Sequence, residues 1–115
     1  MPPSNRLSVS VRQVPNTAII DLKGEINAFG EEVLNNTYAE ANQTQPKTIL
    51  LNFSSVDYIN STGIALIVGL LAQARKSGQR LSTTGLSDHY REIFQITRLS
   101  DFMNIYPDEA SALAA

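Results

Sequence analysis

Apolar and polar residues alternate from Leu7 to Val14, with Leu7, Val9 and Val11 set against Ser8, Ser10 and Arg12. That is the period of a half-buried strand. Pro15 and Asn16 then supply a turn signal, and Thr17 to Leu22 continues in β-branched and aliphatic residues until Gly24, so the two runs are expected to pair as an antiparallel hairpin. Between Asn27 and Asn42 the positions Ala28, Val33, Leu34, Tyr38 and Ala41 recur at helical spacing, with Asn27 placed to cap the start. Pro46 ends the polar stretch that follows. Thr48 to Phe53 is apolar on both faces, as in a central strand covered on two sides.

A second helix is expected from Ser61 to about Lys76, with Ile64, Ile67, Val68, Leu71 and Ala74 on its apolar face and Leu66 and Leu70 broadening it. Gly78 ends it, after Arg75 and Lys76 have placed positive charge at the negative end of the helix dipole. Arg80 to Thr84 reads as a strand, Ser87 caps a helix carrying Tyr90, Ile93, Phe94 and Thr97 on one face, and Phe102 to Tyr106 reads as a last short strand. Asp108 to Ala115 has a weak helical pattern. This order predicts an α/β fold: one domain over residues 7–115, a mixed sheet entered through an antiparallel hairpin with helices packed on it, and a flexible N-terminus over residues 1–6.

Composition narrows the function classes. Nine basic and eleven acidic side chains give a formal charge of -2, so no positive field draws in nucleic acid and no direct nucleic acid partner is expected. The absence of cysteine removes thiolate nucleophiles and cysteine-ligated zinc. The longest apolar run, Ile64 to Leu71, is far shorter than the roughly 20 residues needed to cross a bilayer, so no membrane insertion is expected. Met1 to Arg6 shows no secretory pattern, which makes the cytoplasm the expected location.

The segment Val56-Asp57-Tyr58-Ile59-Asn60-Ser61-Thr62-Gly63 joins a buried strand to a strongly apolar helix. Sites form at such junctions because the loops are exposed while the sheet holds them still. The first N–H groups of a helix lack internal partners, and Asn60 or Ser61 can cap them. The same N–H groups and the helix dipole favour a phosphate on Ser61 by roughly 0.3–1 kcal/mol. Such a phosphate adds about -1.5 to -2 charges, which a partner fitted to the bare hydroxyl would have to desolvate.

The order of elements, with Gly24-Glu25-Ile26-Asn27 after the second strand and Asn60-Ser61-Thr62-Gly63-Ile64 after the third, resembles the STAS domain of anti-sigma factor antagonists over about Leu7 to Tyr106. The resemblance implies a partner switch. The unmodified chain binds an anti-sigma factor that is also a serine kinase, phosphorylation of the motif serine ends the complex, and a serine phosphatase resets it. Carried onto this chain, it makes Ser61 the phosphoacceptor and Thr62 a secondary site, with Glu25, Asn27, Asn60, Thr62, Gly63 and Ile64 in the partner-binding region. Two positions depart from the family's usual wording, because Asn27 and Asn60 stand where aspartates are usual. A constitutive scaffold subunit of a transporter or signalling complex, with the serine serving only the helix start, is the alternative.

No catalytic residue, cofactor or metal site is expected. His89 is the only histidine and has no partners for a metal site or triad. Glu25, Asp57, Asp88 and Asp101 fall in different elements, and no phosphate-cradling glycine spacing occurs. A binding module, and not an enzyme, is the expected class.

Overall fold

The computed structural model describes residues 6–115, so the expected flexible N-terminus lies, apart from Arg6, outside the described residues. Strands β1 (Ser8–Val14) and β2 (Thr17–Ile26) form the antiparallel hairpin, turning at Pro15 and at Asn16, whose φ is 65°. Strands β3 (Thr48–Ile59), β4 (Arg80–Thr84) and β5 (Asn104–Tyr106) follow in parallel, giving a mixed sheet of order β1-β2-β3-β4-β5. The helices are α1 (Glu31–Ala41), α2 (Ser61–Lys76), α3 (Asp88–Ile96) and α4 (Glu109–Ala114).

One face of the sheet carries the main core. Ala18, Ile20 and Leu22 of β2, Ile49, Leu51 and Phe53 of β3 and Leu81 of β4 meet Leu34, Tyr38 and Ala41 of α1, Ile67, Leu70, Leu71 and Ala74 of α2, and Tyr90 and Phe94 of α3. Phe94 is fully buried and meets the Phe53 ring edge-on at 6.0 Å. Because side chains alternate along a strand, the intervening residues Ile19 and Leu50 fall on the opposite face, and both are buried there. That accounts for the two-sided apolar run of β3.

The opposite face is closed by α4, which packs on β4 and β5. Glu109 of this helix binds Arg12 of β1 at 2.5 Å, and Arg12 binds Asp21 of β2 at 2.6 Å. Asn52 of β3 donates to the same Asp21 at 2.8 Å. The Arg12 guanidinium holds the carboxyls of both Asp21 and Glu109 below their usual range, and they in turn raise its own pKa.

Several boundaries differ from the sequence expectation. β2 does not close at Gly24 but runs to Ile26, because Leu22, Gly24 and Ile26 keep the inward period while Gly24, at φ 101°, absorbs a register shift. β3 runs past Phe53 to Ile59 through two such shifts against β2, which break its apolar period after Asn52. The junction segment from Val56 to Ile59 is therefore strand. β5 begins at Asn104 and not at Phe102, which ends a 3-10 turn and is exposed. Val68 leaves the core face of α2 and is 44% exposed, since the buried stripe is centred on Gly63, Ile67, Leu70 and Ala74. A helix apolar around so wide an arc does not rank its own flanks.

Candidate functional site

The two motifs lie side by side at the carboxyl ends of adjacent parallel strands. Glu25 pairs with Tyr58 and Ile26 with Ile59, and the Asn60 amide donates to the Ile26 carbonyl at 3.2 Å. Gly63, buried in the first turn of α2, rests directly on that carbonyl: a methyl group there would overlap the Ile26 oxygen and stand 2.9 Å from Ile59 Cγ2. Only glycine lets the helix start so close to the end of β2.

Both asparagines cap. Asn27 is extended, at φ -145° and ψ -171°, and its Oδ1 accepts from the Phe29 amide at 3.0 Å, opening a 3-10 turn over Ala28–Gly30 ahead of α1. Asn60 is likewise extended, and its Oδ1 accepts from the Gly63 amide at 2.8 Å. The amide oxygen does what an aspartate oxygen would do there, without the charge. With the cap supplied by Asn60, Ser61 occupies the first helical position and is exposed, as is Thr62.

Ser61 is followed along the same side of α2 by Ala65, Val68 and Ala72, all exposed, at intervals of one helical turn. No charged residue occurs in α2 before Arg75. The phosphoacceptor candidate thus sits at the head of a neutral strip. Ile64 is half-buried against the core, and Glu25, one residue from the inward-facing Ile26, projects from the opposite face of the sheet at the same edge.

Two further residues belong to this region, Tyr90 from the apolar face of α3 and Phe29, which the apolar periodicity passes over. Tyr90, 8% exposed, accepts through its hydroxyl oxygen from the Ile59 amide at 2.8 Å. β3 has by then lost β4, whose pairing ends at Asn52, so Tyr90 supplies the missing partner on the open edge just before Ser61. Phe29 is 91% exposed in the turn between β2 and α1, where Ala28, expected on the buried helical face, is exposed as well. An aromatic residue out of phase with Val33, Leu34, Tyr38 and Ala41 was the available signal. His89 stacks edge-on against Tyr90 at 4.8 Å.

Comparison with known proteins gives a consistent picture. The family model described as "STAS domain" matches residues 8–112. The chain is 29% identical over 86 residues to the "Anti-sigma-B factor antagonist" of Staphylococcus aureus (strain NCTC 8325 / PS 47), covering 75% of this chain and 80% of the relative. It is 28% identical over 99 residues to the protein of the same name from Bacillus subtilis (strain 168), covering 86% and 90%. Among solved structures, an anti-sigma factor antagonist from Mycobacterium paratuberculosis superposes with a TM-score of 0.82 at 16% identity, over 99% of this chain and 97% of that one. The Bacillus cell fate determinant SpoIIAA in the phosphorylated form gives 0.71 at 23% identity, over 93% and 97%. A sulfate transporter family protein from Wolinella succinogenes gives 0.77 at 20% identity, over 90% and 87%.

Proposed function

Since this chain belongs to the STAS domain family, we propose that it is an anti-sigma factor antagonist, a non-enzymatic partner switch set by phosphorylation of Ser61. The observation that carries the proposal is the division of labour at the start of α2. Asn60 makes the capping bond, so the Ser61 hydroxyl is exposed and free for another role. The names of the curated relatives support the same reading.

The bare site offers a partner a hydroxyl at the head of a neutral helical strip. A complementary surface is itself largely uncharged opposite Ser61, and it binds by close packing. A phosphate there adds about -1.5 to -2 charges to a surface matched to none, while the first turn of α2 stabilises the modified chain on its own side. Phosphorylation therefore costs the complex more than it costs the free protein. In this reading the partner is an anti-sigma factor serine kinase that supplies the base and metal ligands for transfer to Ser61 Oγ. Thr62 is the secondary acceptor, and a serine phosphatase restores the hydroxyl. The reaction takes place in the cytoplasm, and neither cofactor nor nucleic acid is needed by this chain.

Affinity capture from source cells with wild-type and Ser61→Asp protein tests the switch. The wild type is expected to retain a serine kinase, identified by mass spectrometry, that places phosphate on Ser61, and the Ser61→Asp variant is expected to lose it. Phosphate found elsewhere with Ser61 bare, or equal retention by a folded Ser61→Asp variant, would overturn the proposal. The fold shared with a sulfate transporter family protein keeps a second reading in view, a constitutive scaffold subunit. That reading expects a stoichiometric partner retained equally by both forms.

A further inference from the structure

The surface beside Ser61 contains a feature that the switch itself does not require. Phe29 is the most exposed large apolar side chain among the described residues, at 91%, and it is not on a loose loop. Its amide is held by Asn27 Oδ1 at 3.0 Å, and the Gly30 amide is held by the Asn27 carbonyl at 2.9 Å. Gly30 is buried against Leu7, where a Cβ would stand 2.9 Å from the leucine Cδ2. The turn is tied down on both sides of an aromatic ring that points into solvent. The same turn packs against α2 and follows directly on Ile26, on whose carbonyl the Ser61 helix is seated.

Beside the ring lies a shallow hollow lined by Ala28, Glu31, Glu32, Asn35 and Asn36. Its charged groups are the two carboxylates in the first turn of α1, both exposed, with no basic side chain among its walls. A preordered aromatic knob next to an acid-lined hollow is the composition of a binding hot spot and its electrostatic rim, since aromatic anchors carry most interface energy and flanking charges set orientation and on-rate. Holding the ring in place beforehand spares the complex the entropy of ordering it.

We propose that Phe29 is the principal anchor for the anti-sigma factor kinase, inserting into an apolar slot on that partner while a basic partner side chain enters the hollow beside Glu31 and Glu32. This rests on the switch reading and adds to it a second contact. Ser61 then controls whether the partner stays, and Phe29 with its acidic rim determines which partner is recognised. The two parts differ in charge, neutral along α2 and carrying two carboxylates at the start of α1, and Ser61 is not among the residues that line the hollow.

The test uses the kinase retained by the wild-type chain, purified and titrated against wild type, Phe29→Ala, Phe29→Tyr and the double variant Glu31→Gln/Glu32→Gln. Phe29→Ala is expected to weaken binding by roughly thirtyfold, with an unchanged melting temperature because the ring is outside the core. Phe29→Tyr, which keeps the ring, is expected to recover most of the affinity. The double variant is expected to slow association and flatten its salt dependence. Binding of Phe29→Ala within about twofold of wild type, while Ser61→Asp still fails to bind, would sink this inference and leave the switch standing. If the wild-type chain retains no such kinase, both fall. A wild-type dimer that Phe29→Ala dissolves would identify the occupant as a second copy and overturn the assignment.

Discussion

At the scale of single residues, Asn27, Asn60 and Gly63 set the geometry on which Ser61 depends. Replacing either aspartate of the usual motif by asparagine removes a charge and keeps an acceptor, and the capping distances of 3.0 and 2.8 Å show that the acceptor is what the backbone uses. Gly63 has no such latitude, because its neighbour is a backbone carbonyl in a sheet and cannot move aside. Gly63→Ala is expected to destabilise the fold by about 1–3 kcal/mol, read as a fall in the denaturant midpoint, as in an overpacked core. The capping role of an asparagine at a helix start was legible in the sequence, and so was the accessibility of a serine at a strand-to-helix junction. The choice of Asn60 over Ser61 as the cap was not, since both side chains qualify and only the extended backbone of Asn60 decides it. Phe29 was passed over because a lone aromatic outside the apolar period gives no address.

At the scale of elements, the informative departure is the length of β3. Its first half pairs on both sides, and its second half, after Asn52, pairs with β2 alone. The bulges that bend this half interrupt the alternation on which strand recognition depends, which is why the strand expected from the sequence stops at Phe53. The span of α2 was legible from Ser61 to Lys76, because the residues that start and stop it are sequence-local. Its exposed flank was not, as Val68 and Leu70 are equally apolar and only the seat on Ile26 decides which one faces inward. The open edge of β3 is held by a single side chain from α3. Tyr90→Phe would leave the buried Ile59 amide without its acceptor, at a cost of about 1–3 kcal/mol. Hydrogen exchange should show the Ile59 amide losing protection by more than amides of β4 do. An unchanged Ile59 rate in Tyr90→Phe would mean that the bond does not anchor the junction.

At the scale of the whole molecule, charge is distributed by end. Glu25, Glu31, Glu32 and Asp57, with Lys23 among them, lie toward the carboxyl ends of β2 and β3, while Lys47, Arg75 and Arg80, together with Asp101, line a cleft of about 960 Å³ toward their amino ends. The net charge of -2 conceals this polarity, because it sums over both ends. The sheet's second face is secured by the Arg12 cluster, and that gives the fold a pH dependence of definite sign. Asp21 and Glu109 titrate below their usual range beside Arg12, so their contribution to stability is fully present above the unfolded carboxylate pKa, about 4. It is lost as pH falls through the lower folded values. Arg12→Met should therefore melt below wild type at neutral pH and converge with it under acid conditions, as followed by thermal scans from neutral to strongly acidic buffer. A constant gap across that range would show that the cluster's charges contribute nothing.

The amide at position 60 also leaves the site one substitution away from the family's usual wording. Its capping bond uses the oxygen alone, so Asn60→Asp would keep the helix start intact while placing a carboxylate one residue from Ser61. Such a protein would carry an extra negative charge beside Ser61 on an unchanged backbone. Cap and charge are thereby separable at this position, so a change in partner affinity could be assigned to the charge and not to the fold.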